Sequence, residues 1–135
     1  MRSAGQVVVV DDDIAILAFV KDALQDEGYS VIAADTAGAA LDVLMSLWDR
    51  QPSAILLDVN LPEVDGKGFA ELYRLLPVRQ APIILMSASD TLCAVASQIE
   101  AQDMLRKPFD LDDLLTRLHR VALAGDPVQR RLPAP

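Results

Sequence analysis

Val7-Val8-Val9-Val10-Asp11-Asp12-Asp13 is the stretch on which the fold turns. Four β-branched residues in a row stop abruptly at three acids. A short β-branched run bounded by polar residues reads as a strand buried on both faces of a parallel sheet. Three further runs end the same way: Ile55-Leu56-Leu57 at Asp58, Ile83-Ile84-Leu85-Met86 at Ser87, and Met104-Leu105-Arg106 at Lys107-Pro108. In an open parallel sheet the ligand site lies outside the carboxyl ends of the strands. The polar groups at these ends then converge on one rim. Three carboxylates, a hydroxyl and an ammonium gathered there suit a divalent metal and a phosphoryl group.

Between these runs the periodicity is helical. Ile14, Leu17, Val20 and Leu24 recur on one face of a first helix, with Lys21, Asp22, Gln25 and Asp26 opposite. Gly28 fits the left-handed residue that closes it. Val31-Ile32-Ala33-Ala34 reads as a second strand, and Leu41, Leu44 and Met45 give the next helix its apolar face, with Pro52 in the loop behind it. Phe69, Leu72, Leu75 and Leu76 mark a third helix ended by Pro77, and residues from about Thr91 to Ile99 a small-residue fourth. The fifth helix carries Leu111, Leu114, Leu115, Leu118 and Val121 on one side. Asp110 is placed to cap it, Asp113 completes a capping-box-like pair, and Phe109 and Leu114 hold the staple positions. Five strand–helix units predict an α/β, doubly wound parallel sheet with right-handed crossovers and helices on both faces. One domain over residues 1–124 is expected. From Gly125 the apolar pattern stops, so 125–135, with three prolines, reads as a tail or the start of a linker.

Composition narrows the function. Aromatics are 4% of 135 residues, so the core is expected to be aliphatic. A formal charge of −8 excludes the basic stripe that direct nucleic-acid binding needs, and the one basic cluster is Arg130-Arg131. No apolar run reaches the roughly 18 residues of a membrane span. No apolar signal core follows Arg2, so a cytoplasmic protein is expected. The single cysteine, Cys93, allows no internal disulfide and reads as a plain buried thiol in an apolar helix.

The ordered motifs resemble one family, the receiver domain of two-component response regulators. They are the acidic pair Asp11-Asp12, then Asp58 followed by Pro62 and Asp65-Gly66, then Ser87, then Lys107-Pro108-Phe109. The resemblance covers about residues 6 to 124. It implies a flavodoxin-like five-stranded sheet of order 2-1-3-4-5, with Asp58 as phosphoacceptor. It further implies Mg²⁺ held by Asp12 directly, by Asp11 mainly through water, by Asp58 and by the backbone carbonyl of Asn60. Lys107 is the implied counter-charge, and a cis bond before Pro108 aims it inward. Ser87 is the implied sensor of the phosphoryl oxygens. Asn60 and Ser89 are the positions that tune the lifetime of the acyl phosphate.

Elementary chemistry agrees with that assignment. A carboxylate attacks phosphorus to form a mixed anhydride. Two carboxylates about 4 Å apart repel by about 4 kcal/mol at an effective dielectric near 20, which a cation relieves. Asp13 is expected only to cap the first helix. The implied partners are a histidine kinase or phosphotransfer protein, and an output protein at the face formed by helix four, strand five and helix five. A homodimer is left open.

The resemblance has two departures. Met104 stands where the family's switch aromatic is, and methionine refills gaps by changing rotamer without a ring to anchor either state. Glu100 stands where the family often has Gly, which predicts a differently shaped end to helix four. His119, placed in the last turns of helix five, is not expected to donate phosphoryl groups. Rival readings are a haloacid-dehalogenase-like phosphohydrolase and a non-phosphorylated pseudo-receiver. The first requires a second acid two residues after its nucleophile, and that position here is Asn60. The expectation is therefore a signalling domain, not an enzyme, that assists its own phosphorylation and dephosphorylation.

Overall fold

In the computed structural model, residues 5–88 and 92–131 are described, with the backbone alone for 92, 93 and 123–131. Strands β1 (Gly5–Val10), β2 (Tyr29–Ala34), β3 (Ala54–Asp58), β4 (Ile83–Ser87) and β5 (Asp103–Arg106) alternate with helices α1 (Ile14–Asp26), α2 (Ala37–Ser46), α3 (Gly66–Arg74), α4 (Leu92–Gln98) and α5 (Leu111–Arg131). All pairings are parallel, in the order β2-β1-β3-β4-β5. The two-residue period of the strands divides the core into two layers. Val8, Val10, Ile55, Leu57, Ile83 and Leu85 face α2, α3 and α4. Val7, Val9, Leu56, Ile84, Met86 and Leu105 face α1 and α5. Both layers are largely aliphatic, as the low aromatic content predicts.

Helix starts obey local rules. Asp13 caps α1 by accepting from the N–H groups of Ala15 at 2.9 Å and Ile16 at 3.3 Å. Thr36 and Asp65 do the same for α2 and α3. Asp110 accepts from the Asp113 N–H at 2.8 Å. The second half of the expected capping box differs, because the Asp113 carboxylate instead accepts from Arg117 Nε at 2.9 Å. Gly28 closes α1 with φ 93°.

Several apolar residues assigned to the core point outward instead. Ile14 is 66% exposed and Leu75 80%, while Met45, Leu72 and Leu111 are also exposed. On α2 the buried positions are Ala37, Ala40 and Leu44; on α3 they are Phe69, Ala70 and Tyr73. Tyr73 outcompetes the leucines because its hydroxyl is satisfied where it is buried. It accepts from the Ala81 N–H at 2.8 Å and donates to the Arg79 carbonyl at 3.3 Å. Helix α5 also runs past the expected end at residue 124, through Pro127 to Arg131. Extending an anchored helix fixes one residue per added bond, so it does not need an apolar face to continue. His119 therefore lies mid-helix and not in its last turns, with its ring 6.1 Å from that of Tyr29.

The end of α4 corrects a further expectation. Glu100 adopts φ 57°, the left-handed conformation a glycine would supply. Its N–H donates to the Ser97 carbonyl at 3.3 Å, and the Ala101 N–H donates to the Ala96 carbonyl at 2.9 Å. This pair of bonds is the closure in which a left-handed residue follows the helix cap. The shape is thus kept, and Glu100 carries the steric penalty of about 1 kcal/mol that a side chain incurs there. Glu100→Gly is expected to raise stability by about that amount, a rise of roughly 3 °C in Tm. A midpoint that stays put or falls in a thermal melt would mean the closure is unstrained.

Candidate functional site

Strand register builds the site. Val10 pairs with Leu57, so the next residues of β1 and β3, Asp11 and Asp58, leave the sheet side by side. Ser87 pairs with Arg106 at the ends of β4 and β5, and the Lys107 N–H donates to the Ser87 carbonyl at 3.0 Å. The Asp11 N–H donates to the Ala34 carbonyl at 3.1 Å, which ties the rim to β2 as well. The Lys107–Pro108 peptide bond is cis. Backbone hydrogen bonding thus carries Asp11, Asp58, Ser87 and Lys107 to one edge before any side-chain contact is made.

Asp11, Asp58 and Ser87 are buried, while Asp12 is exposed at the lip. Carboxylate oxygens of Asp11, Asp12 and Asp58 lie within 4.8 Å of one another. Lys107 Nζ stands 2.7 Å from Asp11 Oδ2 and 3.4 Å from Asp58 Oδ1. It is thus paired with both carboxylates, and the closer of the two is Asp11. The other oxygen of Asp11 accepts from the Asp13 N–H at 2.9 Å.

Electrostatics sets the protonation directions. Burial pushes the Asp58 carboxyl above the usual carboxylate range, and the charge of Asp11 adds to this. Lys107 and the backbone N–H of Asn60 pull it down but do not win. For Lys107, burial pushes the ammonium down, yet its hydrogen bond to Asp11 and the charges of Asp58 and Asp11 hold it above its ordinary value. One lysine offsets one of two buried carboxylates, and Asp12 adds a third acid. An all-oxygen donor set of this charge fits a divalent cation such as Mg²⁺, which prefers carboxylates and retained waters. The residues present fit the metal that the resemblance implies.

The loop after β3 is shaped for close approach. The Gly66 N–H donates to the Val59 carbonyl at 2.7 Å. A Cβ on Gly66 would lie 2.9 Å from Val59 Cα and 3.2 Å from the Asp58 carbonyl oxygen. Glycine there lets the loop fold back beside Asp58. Asn60 is exposed in that loop, just past the buried Val59. Met104 is half-buried against the layer that includes α4, not at the rim itself. Ser89, and the side chain of Cys93, lie outside the described residues.

Comparison with known proteins agrees with this geometry. The family model described as "Response regulator receiver domain" matches residues 7–119. The DNA-binding transcriptional regulator NtrC of Proteus hauseri is 40% identical over 121 residues, covering 86% of this chain and 24% of that protein. The response regulator MprA of Mycolicibacterium vanbaalenii is 37% identical over 117 residues, covering 84% of this chain and 48% of its own. The chain thus spans half or less of the length of these relatives. Among solved structures, Vibrio cholerae chemotaxis protein CheY4 matches with a TM-score of 0.75 and 31% identity, over 86% of this chain and 97% of that one. The signal receiver domain of an HD domain-containing protein from Pseudomonas fluorescens Pf-5 matches with a TM-score of 0.84 and 25% identity, over 98% and 96%. The chain belongs to the response regulator receiver domain family.

The raised Asp58 carboxyl has a measurable consequence. A carboxyl whose folded-state pKa is raised favours the folded state while protonated, and that contribution is lost as pH rises through the raised value. Ionised Asp58 therefore opposes folding at neutral pH. Without divalent cations, Asp58→Asn is expected to stabilise the protein by about 1 kcal/mol at pH 7. The gain should vanish below about pH 4, where the native carboxyl is protonated folded and unfolded. Urea unfolding at the two pH values checks this, and a gain equal at both would contradict it.

Proposed function

We propose that this receiver domain is a phosphoacceptor switch in which Asp58 takes a phosphoryl group from a histidine kinase or phosphotransfer protein. The observation that carries the reading is the convergence of Asp58 with Asp11, Asp12 and Lys107 at one rim, with Asp11 and Asp58 buried and Asp12 at its exposed lip. A carboxylate oxygen of Asp58 forms the new bond to phosphorus as the P–N bond of the partner's phosphohistidine breaks. The bonding pair returns to the imidazole nitrogen, and the product is an acyl phosphate. Asp11, Asp12, Asp58 and the backbone carbonyl of Asn60 would hold Mg²⁺, which when bound supplies positive charge against the incoming phosphoryl oxygens.

This chain's own residues do the rest. Lys107 gives a second, fixed positive charge, and its bond to Asp11 keeps it pointed at the rim. Ser87 supplies a hydroxyl donor at the end of β4. Asn60 flanks the acceptor without an acid or base, so it gives hydrolysis no general-base help. Ser89 is the other lifetime-tuning position. The phosphoryl group brings about −1.5 to −2 charge and three acceptor oxygens, which draw the Ser87 hydroxyl inward. Met104, packed beside α4, repacks in response.

Two surfaces suit partners. Ile14 follows the acidic rim residues, and Phe109 follows Lys107-Pro108. Exposed Ile14, Phe19 and Leu111, with Phe109 6.3 Å from Phe19, make an apolar flank for a phosphodonor. The face of α4, β5 and α5 serves output. There Arg117 bridges Asp103 at 2.7 Å and Asp113 at 2.9 Å. Residues 1–124 form the receiver domain proper, and 125–135 are a tail or the start of a linker, into which α5 continues as far as Arg131. The domain works in the cytoplasm and makes no direct nucleic-acid contact itself, in line with its formal charge of −8.

Acetyl phosphate tests the reading without a known partner. With Mg²⁺, intact mass should show one added phosphoryl group; without Mg²⁺, or in Asp58→Asn, none. Asp12→Asn should slow the gain about ten-fold or more at sub-saturating Mg²⁺, in line with an oxygen ligand lost. An adduct that persists in Asp58→Asn, or steady turnover of a small phosphate ester, would contradict it.

A further inference from the structure

The carboxyl end of α4 is held by a residue of another helix. A helix leaves its last carbonyls unpaired and its end partly negative. Helix α4 reads Leu-Cys-Ala-Val-Ala-Ser-Gln and carries no cation of its own. The residue in its closing turn is an acid, Glu100, in a left-handed conformation. Both features weaken this end. The compensation comes from α3, where Arg74 Nη2 donates to the Ile99 carbonyl at 2.7 Å. That bond is charge-assisted and brings a guanidinium to the negative helix end.

The bond spans open space. Between α3 and the end of α4 lies a cleft of about 420 Å³, lined by Lys67, Glu71, Arg74, Leu75, Ile99 and Glu100. Leu75 is 80% exposed beside it. The two helix ends are therefore joined at the cleft by a polar contact, and beside it Ala70 of α3 and Ile99 belong to one buried apolar layer. In the chain, α4 also lies between Ser87 and Met104, the end of β4 and the start of β5. A shift of α4 is felt at both.

We propose that Arg74 is a latch, a positioning residue on α3 that holds α4 in the place seen here and opposes its movement when the rim is phosphorylated. The coupling to Asp58 rests on the phosphoacceptor reading; the hold on α4 does not. By linkage, whatever weakens the latch makes phosphoryl uptake more favourable, and whatever strengthens the closed end makes it less so.

Amide hydrogen exchange and phosphoryl occupancy, measured on the full chain, test this. In Arg74→Gln the amides of Glu100 and Ala101 should exchange roughly five-fold faster, the size of one net hydrogen bond. The amides of β3 and β4 should be unchanged, and occupancy at limiting acetyl phosphate with Mg²⁺ should rise. Arg74→Lys, which keeps the charge, should fall between. Glu100→Gly, which relieves the same closure, should move both readouts the other way. Unchanged exchange in Arg74→Gln would overturn the latch. Faster exchange with unchanged occupancy would reduce Arg74 to a static cap and overturn the coupling. A native chain that takes no phosphoryl group would sink the phosphoacceptor reading and the coupling with it, and the exchange of Glu100 and Ala101 would then alone decide whether Arg74 holds α4.

Discussion

Two buried carboxylates, Asp11 and Asp58, share one lysine, and the chemistry of the rim depends on that shortfall of positive charge. The sheet register leaves them no room to separate, because Val10 and Leu57 are paired and fully buried. Lys107 leans toward Asp11 at 2.7 Å and leaves Asp58 at 3.4 Å. Burial, and then the charge of Asp11, raise the Asp58 carboxyl, and Lys107 at that distance does not cancel them. A cation at the rim relieves this, and the need for it grows when Asp58 carries a phosphoryl group, which brings about −1.5 to −2 charge. The same repulsion that burdens the folded protein thus favours a bound cation.

Rigid and movable parts are separated accordingly. The strands that carry the acids are covered on both faces by closely packed aliphatic layers. Gly66 lets the loop after β3 close against the Asp58 backbone. Helix α4 is different. Among the described residues it is the shortest helix, it is followed by a strained acid, and it is tied to α3 at a cleft. Helix α4 joins the end of β4 to the start of β5 in the chain, which ties it to the strand that ends at Ser87. Membership of the receiver family fits this division, and the output surface proposed for this chain is the face of α4, β5 and α5.

Much of this was readable in the sequence because it rests on backbone rules. Runs such as Val7–Val10 can be buried on both faces only in a covered parallel sheet, and their polar ends mark its rim. Capping by Asp13 and Asp110 and the turn at Gly28 follow from local hydrogen bonding and φ. What escaped the sequence depends on competition in space. Periodicity gives α3 more than one plausible apolar face, and Tyr73 wins over Leu72 and Leu75 because the loop before β4 satisfies its hydroxyl. Glu100 gives no sign that it will adopt a glycine conformation, since the penalty is offset by bonds to Ala96 and Ser97 and by a guanidinium one helix away. The preference of Lys107 for Asp11 over Asp58 is a matter of tenths of an ångström that no motif encodes. The end of α5 was set too early because loss of an apolar face does not stop a helix.

Reductive trapping tests the central claim most directly. Borohydride reduces an acyl phosphate to an alcohol and so converts a phosphorylated aspartate to homoserine, which peptide fragmentation locates. After incubation with acetyl phosphate and Mg²⁺, the account predicts homoserine at position 58 alone, and none when Mg²⁺ is withheld. Homoserine at Asp11 or Asp12, or a phosphoryl group that survives reduction intact on another side chain, would contradict it.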